Sequence, residues 1–155
     1  MKYTCLALAL ICSLSSCAFK RHSDFEKMLS GFPSCEFENL YVDYATHVPQ
    51  HQYFTDRNMM PNKVEKEAAF FNIDEKFHDI PVDEIVISAG FGIVIIRFDA
   101  PLGIVEEKMH GFLKYGYNKP PLPVGAEDAI LTPLLKPDVV TPQKTNLICD
   151  FEPNY

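Results

Sequence analysis

The chain has 155 residues, a formal net charge of −7 and 47% hydrophobic side chains. This length suits one domain that buries its own core. The acidic charge argues against binding to nucleic acid or to anionic lipid surfaces, because both are negatively charged. It is compatible with a basic protein partner, although an acidic surface that only aids solubility is the commoner explanation.

The first residues have the pattern of a secretory signal. Lys2 supplies a positive charge, and an apolar run extends from Leu6 to Cys12 before small polar residues follow. This combination is typical of a cleaved signal peptide, and the run is shorter than the roughly 20 apolar residues that span a bilayer. The alternative, a buried N-terminal helix of the domain, would need a polar face that the run lacks.

The segment LSSC at residues 14–17 resembles a bacterial lipobox, in which an apolar residue and two small residues precede a cysteine. The resemblance covers residues 1–17 only. It implies that residues 1–16 are removed, that Cys17 becomes the lipidated first residue and that several acyl chains anchor the protein stably. Ala18 follows, where an aspartate would favour the inner membrane of a Gram-negative cell. The resemblance therefore implies an outer-membrane anchor that faces the periplasm.

The five cysteines fall into three groups. Cys5 and Cys12 belong to the predicted signal peptide, and Cys17 is the predicted lipid site. Cys35 and Cys149 remain, and two thiols left in an oxidising periplasm are expected to form a disulfide. The alternative is a catalytic thiol, but an acidic residue follows each of these two cysteines, and its charge disfavours the reactive thiolate.

A lipidated tether at residues 17–22 is predicted to lead into a single globular domain at residues 23–155. Ser23 and Glu26 have the spacing of a capping box, which predicts a short N-terminal helix with apolar residues on one stripe. Residues 35–44 are rich in aromatic and β-branched residues and predict a strand.

The following segments are less regular until a clear hairpin appears. Residues 45–62 lack periodicity and predict an irregular loop. Residues 63–71 are ambiguous, because their composition favours a helix while a strand at residues 68–73 is the alternative. Residues 83–99 contain two β-branched runs on either side of a glycine-containing turn, which predicts a hairpin. Residues 93–96 are apolar on both alternating faces, and this predicts a central strand that is covered on both sides.

The last third of the chain alternates between one helix, a loop and one strand. Apolar spacing and Pro101 in the first turn predict the main helix at residues 101–115. Six prolines predict a loop-rich segment at residues 117–145, with at most a helical turn at residues 127–131. A final strand is predicted near residues 146–151 with Cys149 facing inward. Together these patterns predict an α+β fold in which the main helix packs on a small antiparallel sheet.

The sequence offers no recognisable catalytic or metal site. His47 and His51 have a chelating spacing, but Pro49 lies between them and argues against the helix that such a site needs. The neighbouring acid pairs do not face each other on any regular element. We therefore predict no catalytic residues, no bound metal and no cofactor.

An interaction surface is the remaining functional prediction. Aromatic and imidazole side chains cluster in one irregular segment, a composition found at protein interfaces: Tyr41, Tyr44, His47, His51, Tyr53 and Phe54. The alternative is that this loop folds back and covers the sheet. The sequence predicts a non-enzymatic, membrane-anchored protein that binds a protein partner, and its acidic charge is compatible with a basic one. The predicted role is that of an immunity or inhibitor protein, with an accessory subunit of an outer-membrane complex as the alternative.

Overall fold

The computed structural model describes residues 23–89, 92–114, 116–119 and 132–150. Several predictions lie outside these residues: the signal peptide, lipid site and tether at residues 1–22, the hairpin tip at residues 90–91, the helical turn at residues 127–131 and the end of the last strand after residue 150.

A six-stranded antiparallel sheet with short helices dominates the described part of the chain, which confirms the α+β class. Its strands lie in the order β1-β2-β3-β4-β6-β5. In chain order the elements are α1 Asp24–Met28, α2 Gln52–Thr55, β1 Lys63–Glu65, β2 Ala68–Phe77, β3 Ile80–Ser88, β4 Val94–Phe98, α3 Leu102–Met109, β5 Leu134–Pro137 and β6 Thr145–Cys149.

The registers of the central strands follow from the side chains that they bury. Phe71 pairs with Ile85, Ile85 with Ile96, and Ile96 with Leu147, and all four side chains are at most 1% exposed. Since alternate residues point to opposite faces, this row fixes one side of the sheet as the core face. The predicted hairpin is confirmed as β3 and β4, and β4 is a central strand.

The longest hairpin of the sheet, formed by β2 and β3, turns at His78 and Asp79 without the Asn-Gly or Asp-Gly pair that most strongly signals a hairpin. Both turns that flank β2 have two residues with positive φ, Lys66 and Glu67 before it and His78 and Asp79 after it. Two-residue turns of this kind normally use Asn or Gly, because other residues pay a steric cost there. Without those residues the pattern left residues 63–71 ambiguous.

The predicted strand at residues 35–44 is wrong, because these residues form a loop beside the sheet. Cys35 and Asn39 have φ values of 54° and 56°, and left-handed backbone interrupts an extended chain. The segment contributes one isolated bridge, between Val42 and Pro49. Its alternating apolar residues instead bury Leu40 and Val42 against the core.

The predicted loop at residues 117–145 contains the edge strand β5, which the prolines concealed. Leu135 pairs with Leu147 of β6. The Asn118 side chain donates to the Leu135 carbonyl at 3.0 Å and accepts from its N–H at 2.7 Å. A side-chain amide thus pairs both backbone groups that β6 does not use, which protects this edge.

The helices are short, and α1 has the capping that its sequence predicts. The Ser23 side chain accepts from the Glu26 N–H and the Glu26 carboxylate accepts from the Ser23 N–H, which confirms the capping box. The main helix is shorter than predicted: α3 ends at Met109, and Pro101 is its N-cap residue. Val105 and Met109 are completely buried.

Aromatic contacts show that the helical segments cover the core face. The Phe54 ring of α2 lies 4.6 Å from Phe71 of β2. The Phe112 ring, just after α3, lies 5.1 Å from Phe77 at the other end of β2. The main helix therefore packs on the sheet as expected, with the α1–α2 region beside it.

A cystine joins the two ends of the described domain. The sulfurs of Cys35 and Cys149 lie 2.09 Å apart, and 114 positions separate the residues in the chain. Both are at most 1% exposed. The cross-link attaches the loop after α1 to the end of β6, so the pair that the sequence suggested has the required geometry.

Removing the cross-link should destabilise the domain. We expect the Cys35→Ala/Cys149→Ala variant to lose about 2–5 kcal/mol of unfolding free energy, because long closed loops restrict the unfolded chain. Urea unfolding of variant and wild type measures this difference. Wild type unfolded in reductant should match the variant, and equal midpoints for oxidised wild type and variant would contradict the pairing.

Candidate interaction surface

The structure divides the predicted aromatic patch into two groups. Tyr41 and Tyr44 are 52% and 61% exposed, whereas Tyr53 and Phe54 are 4% and 0% exposed. The second pair belongs to the core and cannot form part of an exposed patch, which corrects that portion of the prediction. The reason is that α2 turns these two rings toward α1 and the sheet.

His51 has a structural role at the start of α2. Its Nδ1 accepts from the Tyr53 N–H at 3.0 Å and caps the helix. Burial lowers the pKa of His51, and the charge of Glu38 opposes part of that shift. A neutral imidazole keeps Nδ1 available as the acceptor, so the lowered pKa of His51 is consistent with its role as the helix cap.

The Tyr53 side chain makes one polar contact through its hydroxyl and one through its ring. Its hydroxyl donates to Glu75 Oε1 at 3.4 Å, and the Arg57 guanidinium lies 4.1 Å from the ring centroid. Burial, with a contribution from the Glu75 charge, raises the pKa of Tyr53 to about 12. The phenol therefore stays protonated, as a packed structural residue does.

Tyr44 lies in a hydrogen-bonded turn, and Tyr41 lies shortly before this turn. Asp43 Oδ1 accepts from the backbone N–H groups of Ala45 and Thr46 and from the Thr46 hydroxyl. These bonds, led by that of the Thr46 side chain, lower the pKa of Asp43. The Tyr44 hydroxyl donates to Glu67 Oε1 at 2.9 Å, which raises the pKa of Tyr44.

His47 and His51 both take part in the hydrogen bonding of this segment. His47 lies within the turn with a φ of 56°, and its N–H donates to the Asp43 carbonyl at 2.8 Å. Within the ranges that the structure describes, no group of three or more His, Cys, Asp or Glu side chains could hold a metal ion.

Matched substitutions should separate the two groups of aromatics. We expect Phe54→Ala to cost about 3–5 kcal/mol of unfolding free energy, because it opens a cavity in the core. Tyr44→Ala should cost under about 1 kcal/mol, since it removes one exposed hydrogen bond. Denaturant unfolding measures both, and equal losses would contradict the division.

The sheet side opposite the core face carries an apolar row. We call this side the open face. Five residues on five successive strands are cross-strand neighbours along the row: Phe70, Val86, Ile95, Ile148 and Leu134. Val86 at its centre is 7% exposed, Leu134 at the β5 edge is 38% exposed, and the other three side chains are partly exposed.

A polar row runs beside the apolar one. Glu84, Arg97 and Asn146 are cross-strand neighbours on β3, β4 and β6. Arg97 Nη1 lies 2.7 Å from Glu84 Oε1, and Arg97 Nε lies 3.4 Å from Asp138 Oδ2. These contacts are ion pairs by distance, but neither Arg97 Nε nor Glu84 Oε1 has an aligned hydrogen bond. The Arg97 side chain remains 31% exposed, so its guanidinium can also meet a partner.

The turn between β5 and β6 extends the open face. Asp138 begins this turn, and Asn146 donates to Asp138 Oδ2 at 3.0 Å. The next two residues, Val139 and Val140, are 86% and 89% exposed. These two adjacent valines form a separate exposed apolar group at the turn, past the polar row, and exposed apolar surface often marks an interaction site.

The pKa values of Glu84 and Asp138, the two carboxylates beside Arg97, shift in opposite directions. Burial raises the pKa of Glu84, although the Arg97 charge opposes the shift. The hydrogen bond from Asn146 is the largest cause that lowers the pKa of Asp138, and backbone donors of the turn and the Arg97 charge add to it. Glu84 therefore favours the fold in its protonated form, and Asp138 favours it in its ionised form.

Acid unfolding should show these two signs. A raised folded-state pKa means that the Glu84 contribution is most favourable below pH 4.5 and declines as pH rises through the folded-state pKa. The Asp138 contribution is present above pH 3.8 and declines as pH falls through its lowered pKa. Unfolding free energies across this range, for Glu84→Gln and Asp138→Asn, measure the contributions. Relative to wild type, Glu84→Gln should be more stable at pH 7 than at about pH 4, and Asp138→Asn should be less stable at pH 7 than at about pH 2. The reverse order for either variant would contradict the assignment.

The sequence contained a partial signal for the open face. Residues 93–96 are apolar on both alternating faces, and Ile95 is the residue that points away from the core. The other members of the row could not be identified before the registers were known. Sequence reasoning instead selected the aromatic segment, whose composition is interface-like but half of which is core.

Comparison with protein families, curated proteins and solved structures finds no match to this chain. Among the residues that the structure describes, no helix has the length and apolar character needed to cross a bilayer.

Proposed function

We propose that this protein is a non-enzymatic lipoprotein, anchored through Cys17 in the outer membrane, that binds a protein partner in the periplasm through its open face. The observation that carries the binding proposal is the apolar row from Phe70 to Leu134, beside a polar row that contains Arg97. The anchor is proposed from the lipobox-like segment at residues 14–17.

The dimensions of the open face suit a protein partner. Five strands about 4.8 Å apart place the ends of the apolar row about 20 Å from each other. A standard interface covers about 800 Å² on each protein, a patch of comparable width. The exposed valines at positions 139 and 140 add apolar surface in the β5–β6 turn, at the end of these two strands.

The character of the surface favours specific recognition. Interfaces commonly combine an apolar centre with arginine and a polar rim. Arg97, Glu84 and Asp138 provide that rim on one side of the row. Acidic groups outnumber basic ones in the whole chain, so a partner with basic groups around an apolar centre is the best match. An immunity or inhibitor protein that occupies a toxin or hydrolase would use such a surface.

A charge placed on the apolar row should weaken partner binding without unfolding the domain. We expect Leu134→Arg to weaken binding at least tenfold, because the arginine would be desolvated against the partner. Ile104→Arg on α3 is the matched control, since Ile104 is 46% exposed and Leu134 is 38% exposed. Binding is measured by quantitative co-purification from envelopes, after thermal unfolding has shown that both variants fold.

The outcomes separate the possible partners. If a single toxin or hydrolase co-purifies with wild type and with Ile104→Arg but not with Leu134→Arg, the inhibitor role is supported. If an outer-membrane complex shows this pattern instead, the accessory-subunit alternative is supported. Equal recovery with both variants and wild type would contradict binding through the open face. For the anchor, Cys17→Ala should move the protein from membranes to the soluble periplasmic fraction, and continued membrane retention would contradict lipidation.

A further inference from the structure

A groove with partly apolar lining lies beside the start of α1, and residues of the paired strands β2 and β3 line it. Its volume is about 510 Å³. Ile73, Pro81 and Val82 contribute apolar lining, and Ile73 and Val82 are at most 6% exposed. The groove has room for a few side chains of an extended segment.

The rim of this groove is strongly acidic. Its charged residues are five carboxylates and one lysine, namely Glu26, Asp74, Glu75, Asp83, Asp99 and Lys76. Lys144 pairs with Asp83 and lies 3.7 Å from Asp99, which neutralises part of that corner. Asp74 and Glu75 line the groove from β2.

The chain itself provides a segment of complementary chemistry. Ser23 lines the groove and is the first described residue. The five residues before it are Ala18-Phe19-Lys20-Arg21-His22, with one large apolar side chain followed by two cations and an imidazole. An extended chain spans at most about 3.5 Å per residue, so Lys20 must lie within roughly 10 Å of Ser23. Short reach gives such a segment a high effective concentration at the groove.

We propose that residues 18–22 dock in this groove, with Phe19 against the apolar lining and Lys20 and Arg21 against the acidic rim. The docked segment is the link between the lipidated Cys17 and the domain, so the proposal deepens the proposed function and rests on its anchor. Docking would fix the link between the lipid anchor and the domain, and it would thereby set the orientation of the domain on the membrane.

The orientation follows from the position of the groove along β2. Asp74 and Glu75 lie near one end of this ten-residue strand, which is about 33 Å long. Glu67, which accepts from the Tyr44 hydroxyl, precedes the other end. A docked tether therefore directs the β2–β3 turn toward the membrane and the Tyr44 turn away from it.

Trypsin sensitivity of the tether tests the proposal directly, because Lys20 and Arg21 are its cleavage sites. The lipidated protein is placed in nanodiscs of phosphatidylcholine, which has no net charge, and release of the domain by trypsin is timed at low salt. Wild type is compared with Asp74→Lys/Asp99→Lys, which reverses two rim charges. The control, Glu65→Lys/Glu107→Lys, changes net charge equally at residues that do not line the groove.

Docking predicts slow release for wild type and control and at least tenfold faster release for the rim variant. Salt screens the attraction between the basic tether and the acidic rim, so release of the wild-type domain should also accelerate in 0.5 M salt. Cleavage of a free peptide of the same sequence corrects for the effect of salt on trypsin. This salt comparison still tests the proposal if the rim variant does not fold. Equal rates for all proteins, insensitive to salt, would overturn the proposal. Protection that appears only in discs with anionic lipid would also overturn it, by assigning the tether to headgroups. Partner binding and Cys17 lipidation are measured in separate experiments. A failure of tether docking can therefore be distinguished from a failure of the proposed function.

Discussion

The alternation of side chains across one six-stranded sheet is the constraint on which the rest of the structure depends. The buried row Phe71, Ile85, Ile96 and Leu147 fixes the registers of four strands at once. A slip of one residue in any of them would place a buried side chain on the opposite face. The same registers necessarily align the apolar row of the open face, so the proposed binding surface and the core have one origin.

The helices and the cystine depend on this sheet rather than the reverse. Helices of four to eight residues are too short to be stable alone, and each gains its stability from apolar residues that contact the core face. The Cys35–Cys149 cross-link then attaches the α1 region to β6, a strand near the other side of the sheet. Stability is thus concentrated on one face, which leaves the other available for recognition.

Sequence reasoning succeeded where local chemistry decides the structure. The Ser23 capping box, the hairpin of β3 and β4 and the inward position of Cys149 all follow from neighbouring residues or simple periodicity. It failed where tertiary contacts override propensity. The turns at residues 66–67 and 78–79 lack the glycine or asparagine that their backbone favours, and β5 is a strand because β6 and Asn118 complete its hydrogen bonds.

The functional site shows the same limit. Composition identified aromatic residues but could not tell that Tyr53 and Phe54 are core while Tyr41 and Tyr44 are exposed. The apolar row is spread over five strands and emerges only from their pairing. Site-specific photo-cross-linking in intact cells tests the central claim most directly, with the photoreactive residue at position 134 or at position 104. The account predicts a discrete cross-linked protein from position 134 and none from position 104. Cross-links from position 104 alone, or from neither position, would contradict it.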